Sequence, residues 1–265
     1  MSDTPKTGQA PQNYTPQNIA GQAALVSGGT SGIGLATARL LVSRGARVLI
    51  FGRHAPELRD ALQELGALGE VHGLVADVSR PEDVKRAFEE ADAKLGGMDI
   101  LVASAGIGAK SLTNSEIAEM RSVLDTNLLG SMLCAREAAL RMKPQGSGHI
   151  VAIGSMSAKV RDEGAEIYVA TKSGMRGFFD SLAKSLNPHG IKVTLIEPGL
   201  VQTRIQLQHL PKAEQIEKEA QMREKIEAQT MLEAQDLAEA VHYVLTQPQR
   251  CVVPFLQVRP LKQII

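Results

Sequence analysis

Tyr168 and Lys172 stand four residues apart, a spacing that on a helix puts both side chains on one face. A free tyrosine titrates near pKa ~10, too high for efficient proton exchange at neutral pH. A neighbouring ammonium favours the phenolate and brings that value down, so the pair reads as a proton donor and acceptor with its tuning cation. Ser155, a little upstream, offers a hydroxyl that can hold a substrate oxygen beside the phenol. A lone Tyr-x-x-x-Lys is more often a surface pair than a site. Its weight here comes from its company.

That company begins with Ser27-Gly28-Gly29-Thr30-Ser31-Gly32-Ile33-Gly34, which follows an apolar run and opens an amphipathic one. Small residues there let the backbone approach a pyrophosphate, whose charge is met by the N–H groups and positive end of the following helix. The spacing is Gly-x-x-x-Gly-x-Gly, and the bland alternative is a tight turn between strand and helix. The next apolar run, Val48-Leu49-Ile50-Phe51, leads into Gly52-Arg53. An NAD site usually carries an acid near this point for the adenosine 2′-OH. No carboxylate is expected here to repel a 2′-phosphate, and Arg53 is able to pair with one, so NADP(H) is favoured over NAD(H). The alternative is a surface arginine in a turn. His54 is either a second phosphate contact or an ordinary exposed histidine.

The elements that must position these residues are legible as alternating apolar and amphipathic runs. Segments 23–27, 47–51, 71–75, 100–103, 149–153, 192–197 and 251–258 are rich in Val, Ile and Leu and bounded by Gly, Asp or Pro. Near-continuous apolar character suits strands covered on both faces. Between them, 33–43, 56–64, 81–95, 115–142, 167–186 and 235–246 read as helices. Strict alternation implies right-handed crossovers, and hence an α/β Rossmann fold with a seven-stranded parallel sheet and helices on both faces. Residues 1–18 are expected to be a disordered tail and 19–265 a single domain. Residues 210–231, crowded with Lys, Glu, Gln and Arg, read either as a solvated surface helix or as a lid over the site.

The 265-residue chain carries 29 basic and 29 acidic side chains, a balance that argues against nucleic acid or an anionic membrane as the main partner. Aromatic residues make up 3% with no Trp, which weakens any base-stacking role. Residues 1–18 show no apolar core or cationic start of a secretory signal. Cys134 and Cys251 are far apart, and six histidines are scattered singly, so no metal site is expected and a reducing, cytoplasmic setting is favoured.

Taken together, these residues resemble the short-chain dehydrogenase/reductase family in its single-domain form, across residues 19–260. The resemblance implies Tyr168 as general acid/base, Ser155 orienting the carbonyl, and Lys172 tuning the tyrosine and gripping the nicotinamide ribose. It implies that Asn127, in Asp125-Thr126-Asn127-Leu128, anchors a water in the proton relay. Cofactor contacts are implied for Gly28, Thr30, Ser31, Gly32, Ile33 and Gly34, for Asp77 and Val78 at the adenine, and for Ala105 and Gly106. Pro198, Gly199, Val201 and Thr203 match the turn that fixes the carboxamide. A homodimer or homotetramer, built through the fourth and fifth helices, is likewise implied. Two departures stand out. Ala103-Ser104-Ala105-Gly106 replaces the family's Asn-Asn-Ala-Gly and removes side chains that brace the neighbouring backbone, and Ser27 replaces a threonine.

The reaction implied is hydride transfer between the nicotinamide and a carbonyl or secondary-alcohol carbon. Lys159 and Arg161, in the charged loop before Tyr168, suggest an anionic or small polar substrate. The run 234–241 and Val258-Arg259-Pro260 resemble a bacterial subgroup acting on small polar alcohols and aldehydes. The competing readings are an NAD-linked alcohol dehydrogenase and a dinucleotide-sensing regulator without turnover. The latter should lack Tyr168 or Lys172.

Overall fold

A computed structural model describes residues 15–161, 163–203, 205 and 212–263. Seven strands, β1 (Ala23–Ser27), β2 (Arg47–Gly52), β3 (Val71–Val75), β4 (Ile100–Ala103), β5 (Gly148–Ile153), β6 (Ile191–Pro198) and β7 (Phe255–Val258), form one sheet in the order β3-β2-β1-β4-β5-β6-β7. Every pairing is parallel. The central strands are buried on both faces, which is why their sequences alternate so little between apolar and polar.

The helices divide between the two faces. Leu25, Leu49 and Leu101 pack against α3 (Pro81–Leu95), α5 (Gly130–Gln145) and α7 (Glu166–Leu186), through side chains such as Phe88, Ala138 and Phe179. Val26, Ile50 and Val102 face α1 (Gly32–Ser43), α2 (Ala55–Gly66) and α9 (Ala234–Leu245), through Leu41, Leu65 and Val241. Helix α3 shows how locally its limits are written. Pro81 opens it, Glu82 and Asp83 meet the positive end, Lys94 meets the negative end, and Gly96 leaves it at φ 69°.

The long helix expected over 115–142 is interrupted. Helix α4 (Ile117–Leu124) runs into a π-helical turn, Asp125–Leu129, before α5 begins. A short helix, α6 (Ser157–Val160), lies between β5 and α7, and α8 (Lys212–Glu227) occupies most of the charged segment, whose residues 210 and 211 lie outside the described ones. The last strand is shorter than expected because pairing with β6 starts only at Phe255. Most of the expected tail, residues 1–14, also lies outside the described residues. Gln17 is held: its N–H donates to the Thr246 carbonyl and its side-chain oxygen accepts from Lys192.

Candidate active site

Strand order reverses between β1 and β4, and the crevice at their carboxyl ends is where open α/β sheets bind ligands. The glycine loop leaves β1 into that crevice. Gly28 has φ +66° and its backbone lies so close to Ala105 that a Cβ there would come within 2.8 Å of the Ala105 Cα. Gly34 packs beneath Gly28, where a Cβ would collide with the Gly28 carbonyl. Gly32, at φ +52°, would bring a Cβ only into ordinary contact with Thr203, 3.6 Å away, and lines a cavity. The loop is therefore close-packed below and open above, the shape needed to lay N–H groups against a diphosphate.

The exit of β4 is braced despite its missing asparagines. The Ser27 hydroxyl accepts from the N–H groups of Ser104 (3.2 Å) and Ala105 (3.4 Å), so the β1 residue does the bracing from across the crevice.

Two cavities meet at Gly28, Ser31, Ala105 and Gly106. The larger, of 480 Å³, is bounded by Ser31, Gly32 and Ile33 on one side and by Ser155, Tyr168 and Lys172 on the other. Pro198, Gly199, Val201 and Thr203 complete its floor, and Ala109, Ala165, Leu200 and Ile205 give its outer end an apolar wall. The smaller, of 400 Å³, is lined by Thr30, Arg53, His54, Asp77 and Val78. Glu57, from the first turn of α2, lines it as well, contrary to the expectation that no carboxylate stands near Arg53. Asp77 is partly engaged, its Oδ1 accepting from the Ser79 N–H and hydroxyl.

Ser155 leaves β5 two residues after Ile153, and helix α7 presents Tyr168 and Lys172 to it on one face. The Lys172 ammonium donates to the Ile153 carbonyl (3.0 Å) and lies 5.6 Å from the centre of the Tyr168 ring. Burial lowers the lysine from its ordinary 10.5 to about 8. Burial also pushes the Tyr168 phenol up, and the Ser155 hydroxyl pulls it back in part. The lowering expected from Lys172 is therefore not what governs the phenol within the protein itself, where burial leads and Ser155 opposes it.

Asn127 lines neither cavity. It is fully buried in the π-helical turn, where its Oδ1 accepts from the Ile107 N–H (2.8 Å) and its Nδ2 donates to the Ile107 carbonyl (2.9 Å). It also donates to Thr171, which in turn donates to the Tyr168 carbonyl (2.7 Å), tying the loop after β4 to the tyrosine helix. A Cβ on Gly106 would lie 3.5 Å from Asn127 Oδ1 and 3.9 Å from Lys172 Nζ, so these side chains border one small gap.

Lys159 and Arg161 are exposed and do not line the cavity, so the charge of their loop gives no indication of the substrate. Sequence spacing also missed Ser157, which bonds Ser155, and Gln263, whose side-chain oxygen accepts from the Leu200 N–H (3.2 Å). Neither belongs to a recognisable spacing pattern. Among the described residues no cluster of His, Cys, Asp or Glu is placed to hold a metal, and no helix is long and apolar enough to cross a membrane.

Comparison with known proteins settles the family, for the short chain dehydrogenase profile matches residues 22–214. The chain belongs to the short-chain dehydrogenase/reductase family. An uncharacterised oxidoreductase of Staphylococcus aureus is 35% identical over 240 residues, covering 90% of this chain and 96% of its own. Carbonyl reductase family member 4 of Danio rerio is 42% identical over 182 residues, 68% of this chain and 76% of its own. A metagenomic short-chain oxidoreductase crystallised with NADP superposes with a TM-score of 0.77 at 28% identity, over 93% of this chain and 100% of that one. This short-chain dehydrogenase/reductase is accordingly an oxidoreductase of carbonyl or CH–OH groups, and the two cavities are where its family fold opens.

Proposed function

We propose that the chain transfers a hydride between NADP(H) and a small carbonyl or secondary-alcohol substrate, the work of one unit spanning 19–265. The observation that carries this reading is the convergence of Ser155, Tyr168 and Lys172 on a cavity continuous with the glycine loop. The residues fit a dinucleotide: the loop is closed to any Cβ at Gly28 yet borders the larger cavity through Ser31, Gly32 and Ile33, and the helix α1 N-terminus stands behind it. When bound, that cofactor supplies the hydride and, in its oxidised form, a positive charge near Tyr168.

The protein's own part is to orient and to move a proton. Ser155 holds the substrate oxygen, and Tyr168 gives or takes the proton on it. Lys172 stabilises the phenolate and grips the nicotinamide ribose. Asn127, through Ile107 and Thr171, holds the loop and the tyrosine helix in register while its segment carries the relay water. Ser31 to Gly34 and Thr30 address the diphosphate, Asp77 and Val78 the adenine, and Pro198 to Thr203 the carboxamide. Helix α8 serves as the lid. Met222 and Met231 seat it against Leu200, a residue of the cavity wall.

Arg53, beside a cavity that accommodates the adenosine end, supports NADP(H), as does the NADP held by the metagenomic relative. Glu57 in the same cavity favours the second reading, an NAD-linked enzyme, because a carboxylate repels a 2′-phosphate. Comparing the Kd values of NADPH and NADH decides between them. Small polar substrates remain the proposal, resting on the C-terminal subgroup resemblance, although the wall of Ala109, Ala165 and Leu200 also suits an alkyl flank.

The reaction is tested by following NADPH oxidation with glyceraldehyde, ethyl acetoacetate and α-tetralone. Tyr168→Phe is expected to keep NADPH affinity and lose ~10²–10⁴-fold in turnover, the usual worth of a positioned acid/base. Turnover retained in that variant refutes the role. Exposed apolar side chains on α4 and α5, Ile117 at 68% and Leu140 at 54%, support assembly with a second copy, which sedimentation reads directly. Its setting is proposed as the cytoplasm, from the two free thiols.

A further inference from the structure

We infer that Ser157 is a positioning residue for this reaction, its hydroxyl and backbone N–H together aiming the Ser155 hydroxyl at the substrate oxygen. The inference rests on the roles proposed for Ser155 and Tyr168. Ser157 lines the same cavity as both. Its N–H donates to Ser155 Oγ at 3.1 Å, and the two hydroxyl oxygens are also 3.1 Å apart. A hydroxyl has one proton and two lone pairs. One lone pair of Ser155 is taken by the Ser157 N–H, so the direction of the single proton depends on the partner hydroxyl.

With no carbonyl in the cavity, Ser155 gives its proton to Ser157 Oγ. With a carbonyl oxygen beside Tyr168, the Ser155 proton turns to it, and the Ser157 hydroxyl becomes the donor to the vacated lone pair. Donation into Ser155 strengthens donation from it, so the support grows as negative charge develops on the substrate oxygen. The backbone around the pair is fixed independently: the Met156 N–H donates to the Pro198 carbonyl at 2.9 Å and the Ala158 N–H to the Ser155 carbonyl at 3.2 Å. Removing the Ser157 hydroxyl therefore leaves the N–H contact in place and isolates the side chain's share.

This arrangement lets Ser157 support the Tyr168 phenolate as it supports a substrate oxyanion. The Ser155 hydroxyl lowers the Tyr168 pKa by donating to the phenolate, and the Ser157 hydroxyl behind it strengthens that donation. The groups facing Tyr168 are Lys172 from its own helix and Ser155 and Ser157 from the exit of β5. The loop after β4 and the turn after β6 contribute Gly108, Ala109 and the stretch Pro198 to Val201. Tyr168 and Lys172 are the only titratable side chains among the described residues of this cavity.

The decisive measurement is the near-ultraviolet tyrosinate titration of the protein without cofactor, taken as the difference from the matching Tyr168→Phe variant. In Ser157→Ala the Tyr168 midpoint is expected to rise by about 0.5–1 pH unit, a fraction of a charge-assisted hydrogen bond. In steady-state reduction of the fastest carbonyl of the panel, kcat should fall ~3–10-fold with KM changed less than about twofold. Ser157→Thr should restore both. An unmoved or lowered midpoint, or failure of threonine to restore it, overturns the assignment to Ser157 alone when Tyr168→Phe is inactive. Turnover retained in Tyr168→Phe overturns the proposed reaction and this inference together.

Discussion

Acid should weaken this protein through one buried histidine. His149 on β5 is 4% exposed. Its Nε2 lies 2.9 Å from Thr194 Oγ1, and its Nδ1 has no hydrogen-bond partner. Lys192 sits opposite it in the β5–β6 register, held by the carbonyl of Gln247 at 2.9 Å. Burial first, and the Lys192 charge second, lower the histidine from 6.5 to about 3. The folded protein thus keeps it neutral where the unfolded chain takes up a proton, so stability is full above pH 6.5 and falls as pH drops towards 3. At about 1.4 kcal/mol per pH unit, the full loss is about 5 kcal/mol. Only the first ~2 kcal/mol of it falls between about pH 7.5 and about pH 5. Urea unfolding at those two values, at constant protein concentration, measures it. His149→Leu with Thr194→Val removes the titrating ring and its partner together, and should unfold with that ~2 kcal/mol of acid sensitivity gone. Equal acid losses in the wild type and the double variant would refute the reasoning.

Arg53→Asp should weaken NADPH by at least ~10-fold while leaving NADH within about threefold, read by fluorescence titration; equal effects on both would remove Arg53 from the phosphate. Arg176 binds the buried Glu197 through two contacts of 2.6 Å, and Gln257 adds a third bond at 3.1 Å. Arg176→Met leaves that carboxylate, 1% exposed, without its cation and should cost ~3–5 kcal/mol in urea unfolding. Adding Glu197→Leu should recover most of the loss, and a single-variant cost under about 1 kcal/mol would show that other groups balance Glu197.

The strands were legible because burial on both faces forces runs such as Ala23–Ser27 and Ile100–Ala103 to be apolar without alternation. Residues 115–142 misled because hydrophobic periodicity scarcely registers the wider turn at Asp125–Leu129. That turn is stabilised by the bonds of Asn127 to Ile107, which lie far apart in sequence. The run from Cys251 is extended in composition, but Pro254 has no N–H to give and pairing waits until Phe255. At the site, Tyr168 and Lys172 declare themselves by helical spacing, whereas Glu57 reaches the smaller cavity only through the packing of α2, and Gln263 reaches Leu200 only through the return of the chain after β7. Ser157 is local to Ser155, yet nothing in Ser-Met-Ser distinguishes a bonded pair from two surface hydroxyls.

The anchoring of Gln17 and Gln263 has a practical consequence for handling the protein. Gln17 is fixed at the edge where the strands begin, beside Lys192 and Thr246. Gln263 sits at the opposite edge, bonded to Leu200 on the rim of the larger cavity, while the Lys262 N–H holds the carbonyl of Gln229 beyond helix α8. A purification tag or a surface linker fused after Gln263 would emerge next to the mouth of the larger cavity. The same fusion placed ahead of Gln17 would emerge from the far side of the sheet and leave that mouth clear.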